Sequence, residues 1–198
     1  MTKTTLNFEV KPLSGKFGAE VFASHNWLTS EGAATRIIST LEKHGVLVFP
    51  QLHLSDDDFV TMTQNMGSMT QSTVINDGSI APSKGLYRIS LDKYATQAGY
   101  DRWNTVFPPR VHSLVWSQSN GQTSLLIGST ADHIIGMDAA ESRALLDELL
   151  EWATQERFTY LHSWQAGDLV MFHNPALLHR SRPYDAQSGR VMHRTTLD

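Results

Sequence analysis

The chain has 198 residues, 40% of them hydrophobic and 18% charged, with a formal net charge of −4. That is enough chain for one ordinary globular domain with its own core, and without a Lys/Arg run it offers no electrostatic footprint for nucleic acid or an anionic membrane surface. The absence of cysteine excludes disulfides, zinc thiolates and a Cys nucleophile.

Residues 1–10 contain no apolar core of a signal peptide, and no apolar run approaches the ~18 residues of a membrane span. A cytoplasmic, soluble protein is expected. Residues 29–44 predict a helix, capped at Thr29 or Ser30, with Ile37, Ile38 and Leu41 as its apolar stripe and Gly45 as its end. Residues 45–50, GVLVFP, predict a short buried strand stopped by Pro50. A second helix follows from Ser55, with Asp56, Asp57 and Asp58 at its positive end and Gly67 closing it. Residues 68–85 are a polar loop or weak strand. LYRISLD, from Leu86, alternates like a strand, and residues 94–111 carry no clear period.

The pattern clears at residue 112. HSLVWSQ, the turn SNGQ and TSLLIG predict a hairpin. The strongest helix runs from Met137 to Thr154, with Asp138 and Glu141 as a capping box and Leu145, Leu146, Leu149 and Trp152 as one face. RFTYLHSW, the turn QAGD and LVMFH predict a strand pair. RVMHRTTL, after the turn PYDAQSG, predicts a last strand. With no repeat and no linker, residues 1–198 are expected to form one domain of the α+β class, or a strand-rich sandwich with flanking helices.

The last 26 residues are basic, with four arginines and three histidines. Arg190 follows His179 by eleven residues across a turn, so two strands there would lie side by side. A neutral imidazole can bind Fe(II), and a guanidinium can hold a carboxylate through two parallel hydrogen bonds. Arg190 and Arg194 are four apart and share one face of a strand. The plainer alternatives are a hydrogen-bonded core histidine at 179 and arginines that form a solvated face or internal ion pairs.

GDLVMFHNPALLHRSRPYDAQSGRVMHRTTL resembles the C-terminal pattern of the TauD/TfdA family of Fe(II)- and 2-oxoglutarate-dependent dioxygenases: GD-hydrophobic-WDN, LHRA, a turn, R-x-M-x-R. FGAEV, HGVLVF, LSDDDF, HSLVWSQSNGQTSLLIG and IIGMDAAESRALLDELLEWATQ resemble further family blocks, in order. The resemblance implies a double-stranded β-helix, or jelly-roll, core. It implies His179 as an iron ligand, Arg190 as the partner of the distal carboxylate of 2-oxoglutarate, and Arg194 at the same site. Asn174 matches the Asn of WDN, whereas Phe172 and His173 replace its Trp and Asp.

One family element is absent. The other two iron ligands come from a WHxD motif, completing a 2-His-1-carboxylate triad. None of the nine histidines (25, 44, 53, 112, 133, 162, 173, 179, 193) is followed two residues later by Asp or Glu, or by the Gly or Ala of the halogenase relatives. WNTV at Trp103 leads directly into a later family block, and GQT at 121–123 sits in a hairpin turn rather than at the family's GG-x-T segment. ISLDK ends at Lys93 where the block before the motif ends. Tyr94 begins the block before the late hairpin. An internal deletion at the 93–94 seam is therefore expected, removing the motif, internal strands and the substrate lid. His112, His162, His173, His193 and Asp92 are formal substitutes, each better explained as structural.

Three functions remain open. One is a dioxygenase that couples oxidative decarboxylation of 2-oxoglutarate to hydroxylation of a small, anionic substrate. Another is a binder of a 2-oxo acid or partner subunit without redox chemistry. A third is a deletion product that folds poorly or dimerises by pairing exposed strands.

Overall fold

A computed structural model describes residues 8–13, 15, 17–69, 87–89, 110–128 and 131–197. The expectations for residues 70–86 and 94–109, the 93–94 seam and Asp92 lie outside these. Elements in chain order are β1 (Phe8–Pro12), β2 (Ala19–Ala23), α1 (His25–Leu28), α2 (Ala33–His44), β3 (Val46–Phe49), α3 (Asp56–Met66), β4 (Tyr87–Ile89), β5 (Val115–Ser117), β6 (Thr123–Leu125), α4 (Ala139–Ala153), β7 (Leu169–Phe172) and β8 (Met192–Arg194). The fold mixes helices and sheets. Its residues divide into two compact units, one within 1–27, 35–53 and 112–180, the other within 28–34, 54–111 and 181–198.

The first unit is built on a four-stranded sheet in the order β1-β2-β3-β7. β2 runs parallel to β3, and β7 antiparallel to it with Val48 opposite Val170. Valine, leucine and phenylalanine fill β3 because both of its faces are covered: all four residues are buried. Phe49, Leu47 and Val21, with Ile37 from α2, are the largest fully buried apolar side chains of this unit. β5 and β6 form the expected hairpin, with Trp116 opposite Ser124. Gly121 supplies the positive φ that its turn requires.

α2 starts at Ala33 rather than at Thr29, because Ser30–Gly32 form a turn whose Ser30 carbonyl accepts from the Ala33 N–H. Gly45, at φ 77°, ends the helix as expected. α4 is capped by Asp138, whose carboxylate accepts from the N–H groups of Ala140 and Glu141. Its buried face differs from expectation. Leu146 and Ser142 are buried, while Trp152 is exposed and stacks on Phe158 at 4.8 Å. Ser142 is tolerated inside because its hydroxyl accepts from the Ile134 N–H at 2.6 Å.

RFTYLHSW is not a strand. Glu156–Phe158 form a 3-10 turn, and residues 159–164 run without ladder pairing. Side chains hold this segment instead. His162 Nε2 lies 2.9 Å from Asp168 Oδ2, and Tyr160 Oη lies 3.1 Å from His162 Nδ1.

The second unit contains α3 and the β4–β8 pair. Ser55 caps α3 by accepting from the Asp58 N–H at 3.2 Å. Val60 and Met62 are buried, and the buried Thr63 bonds the Thr195 hydroxyl at 3.1 Å. β8 is only Met192–Arg194, shorter than the expected 190–197, and pairs antiparallel with β4.

Candidate functional site

The terminal segment follows β7, and a turn at Gln165–Asp168 leads into that strand. The Asp168 N–H donates to the Gln165 carbonyl, closing a turn in which Gly167 sits at φ 88°. The Asp168 side chain is only 4% exposed. Its Oδ1 accepts from the Gln51 N–H, and its Oδ2 accepts from the Gln165 N–H and faces His162 Nε2, each at 2.9 Å. Burial pushes this carboxyl up. The backbone donors of Gln51 and Gln165, then His162, outweigh it, so its pKa lies below the ordinary 3.8. The same turn fixes the loop after β3: the His53 N–H donates to the Gly167 carbonyl at 3.0 Å, and Gln51 Nε2 to Gln165 Oε1 at 2.7 Å. These bonds hold Gln51 and His53 at positive φ, a conformation costly for residues other than glycine.

Beyond β7 the chain turns through Asn174–Ala176. The Pro175 carbonyl accepts from Ser124 Oγ at 2.7 Å and Gln118 Nε2 at 3.2 Å, fastening this turn to the β5–β6 hairpin. Leu177 packs where a side chain on Gly45 would stand, 3.2 Å from that position. His179 follows in an extended segment that is not a strand. It is exposed, and its ring lies 4.3 Å from that of Phe172. Phe172, which stands at the expected Trp position, is thus the aromatic neighbour of the expected metal ligand.

His179 belongs to the first unit and the two arginines to the second. Within the second unit, Arg190 lies just before β8. Its guanidinium sits over the Tyr184 ring at 4.4 Å, with Nε 3.1 Å from Met192 Sδ and Nη2 also directed at that sulfur. Arg194 ends β8, opposite Tyr87. Met192 and Arg194 are half-buried, whereas His193 between them is exposed. That alternation puts Met192 and Arg194 on one face.

All nine histidines lie among the described residues. His162 is engaged by Asp168 and Tyr160, His193 lies 2.7 Å from Asp56, and His133 lies 2.9 Å from Asp132. His25 reaches the Leu52 carbonyl, His53 packs on Gly167, and His112 tilts against Trp116 at 5.8 Å. Burial, then the Lys43 charge, lowers the His44 pKa. Among the described residues, no group of three or more His, Asp or Glu side chains could hold a metal ion. An exposed imidazole against Phe172 does not by itself fit the three-ligand face that Fe(II) requires.

The family model described as Taurine catabolism dioxygenase TauD, TfdA family matches residues 9–105 and 93–196. The chain belongs to this family. Relatives within it include the alpha-ketoglutarate-dependent 2,4-dichlorophenoxyacetate dioxygenase of Burkholderia sp. (strain RASC), 52% identical over 77 residues, which cover 39% of this chain and 26% of that protein. The (S)-phenoxypropionate/alpha-ketoglutarate-dioxygenase of Delftia acidovorans is 26% identical over 276 aligned positions, covering 96% of this chain and 94% of that protein. The first match spans about a quarter of the relative's length. The second requires more aligned positions than this chain has residues. A solved TauD-like fold, AAD-2 in complex with Mn(II) and N-oxalylglycine, superposes with a TM-score of 0.74 at 23% identity, covering 96% of both chains. Among the described residues, no helix is long and apolar enough to cross a membrane.

Composition alone did not reveal the Asp168 hub or the Tyr184 contact. The sequence signals were GD before an apolar run and a Tyr six residues before Arg190.

Proposed function

We propose that this chain is a 2-oxo-acid-binding member of the TauD/TfdA family with a jelly-roll-type core shortened by an internal deletion at residues 93–94. Arg190 and Arg194 hold the carboxylate of 2-oxoglutarate, and His179 is the remaining residue of an iron-ligand set that this sequence does not complete. The observation that carries this reading is the family match in two segments that overlap at residues 93–105. Those thirteen residues bracket the seam, and no histidine of this chain sits in an HxD pattern. A guanidinium already presented on an aromatic face suits a planar carboxylate. A single exposed imidazole does not suit Fe(II), so no redox step is assigned to this polypeptide alone. The partner is a small molecule in the cytoplasm, not nucleic acid or membrane.

A second reading is a complete dioxygenase acting on a small anionic substrate. The name of the 52%-identical relative, which acts on a phenoxyacetate, favours it. It requires ligands from outside the described residues or from a second subunit. The deciding experiment is calorimetric titration of the metal-free full chain with 2-oxoglutarate, with Arg190→Ala as control. Binding by the wild type and its loss in the variant support a retained carboxylate site. Equal heats in both proteins refute it.

A further inference from the structure

We infer that Tyr184 is a positioning residue for Arg190: its ring holds the guanidinium by its face, so that the N–H edge is presented to the carboxylate of a 2-oxo acid. This rests on the reading that Arg190 binds that carboxylate. The local sequence builds the pair. Pro183 restricts the backbone before Tyr184. Asp185 then accepts from the Gln187 N–H at 2.8 Å, capping a 3-10 turn at Ala186–Ser188. Gly189, at φ 66° in the left-handed region, reverses the chain. The result brings residue 190 back onto residue 184, with the guanidinium carbon 4.4 Å from the ring centroid.

That distance is well inside the range of a cation–π contact. A free arginine side chain samples many rotamers, and fixing it in advance removes that entropy from the binding step. The edge of the guanidinium points at Met192 Sδ. A thioether is a weak acceptor, whereas a carboxylate forms charge-assisted bonds of about twice the neutral strength. A bound carboxylate therefore displaces the sulfur from the N–H edge while the ring contact persists. Tyr184 and Arg190 are both half-buried, which shields the pair from full screening.

The test is calorimetric titration of the metal-free full chain with 2-oxoglutarate, on wild type, Tyr184→Phe, Tyr184→Trp, Tyr184→Leu and Arg190→Ala, with thermal melts as a folding check. Tyr184→Phe keeps the face and is expected within about 2-fold of wild type, and Tyr184→Trp no weaker. Tyr184→Leu is expected to weaken binding roughly 5- to 20-fold, the range of a partly desolvated cation–π contact, and to have no further effect when added to Arg190→Ala. Should Tyr184→Leu not fold, the Phe and Trp variants decide: retained affinity in both supports the ring face, and loss in Phe overturns it. If Tyr184→Leu binds like wild type while Arg190→Ala does not bind, the inference about Tyr184 fails and the arginine site stands. If Arg190→Ala binds like wild type, or wild type does not bind, the arginine site fails and the inference falls with it.

Discussion

Replacing Asp168 by Asn removes one charge and keeps the shape. In the folded chain the carboxylate satisfies three donors, the N–H groups of Gln51 and Gln165 and the His162 ring, all at 2.9 Å, with 4% of the side chain exposed. An amide has one acceptor oxygen. If that oxygen serves Gln51, the NH2 group meets the Gln165 N–H; if it serves Gln165, the NH2 group meets the Gln51 N–H. Either way at least one N–H directed at this 4%-exposed side chain loses its acceptor, at ~1–3 kcal/mol, and the remaining bonds lose their charge assistance. Together these predict a destabilisation of about 3 kcal/mol, or roughly 6–12 °C in Tm for a chain of this size. The pH dependence has a definite sign. The folded-state pKa is depressed below 3.8, so the carboxylate's contribution is present above the unfolded value and lost as pH falls through the folded value. Urea unfolding of both proteins at pH 7 and at steps down towards pH 3 measures this. The gap between wild type and Asp168→Asn should be widest at neutral pH and shrink below about pH 4. A neutral-pH difference under about 1 kcal/mol, or a gap independent of pH, would refute the assignment of Asp168 as the hub of this turn.

Gly167→Ala should destabilise by more than about 1 kcal/mol in the same assay, because φ is 88° there and the added methyl would collide with the His53 ring; a neutral result would mean that the loop after β3 yields freely. Ser55→Ala and Asp138→Ala each remove the N-cap of a long helix and should cost about 1 kcal/mol apiece, read as a shift in urea midpoint. Phe49→Ala, at a residue with no exposed surface, should cost ~3–5 kcal/mol, measurable by the same unfolding curves, against less than about 0.5 kcal/mol for Val111→Ala at 77% exposure.

The helices α2, α3 and α4 were legible because caps and apolar spacing sit close together in the chain: Ser55, Asp138 and Gly45 act where the sequence suggests. β3 and the β5–β6 hairpin were legible for similar local reasons. The segment RFTYLHSW was misread because its alternation suits a strand, whereas Asp168 and Tyr160 hold His162 through side chains in place of ladder bonds. Trp152 was misplaced for a related reason. Helical spacing puts it on the leucine stripe, but it lies in the last turn of α4, where Phe158 from the following 3-10 turn packs against it and it stays exposed. At the candidate site, the residue types were legible and their surroundings were not. Nothing local in HNPALLHRS tells that His179 lies exposed, outside any strand, against Phe172. The cradle of Arg190 depends on a turn, closed by Asp185 and Gly189, whose geometry only the folded chain fixes.

The proposed function separates a carboxylate site that this chain keeps from an iron-binding face that it lacks. The most direct measurement is anaerobic titration of the purified, folded chain with Fe(II) and 2-oxoglutarate, following visible absorbance for the metal-to-ligand charge-transfer band of a chelated 2-oxo acid, alongside calorimetry of 2-oxoglutarate alone. Heat of binding that Arg190→Ala abolishes, with no charge-transfer band, is the expected result. A band in wild type that weakens in both His179→Ala and Arg190→Ala would contradict it, and would show that this chain assembles a working metal centre.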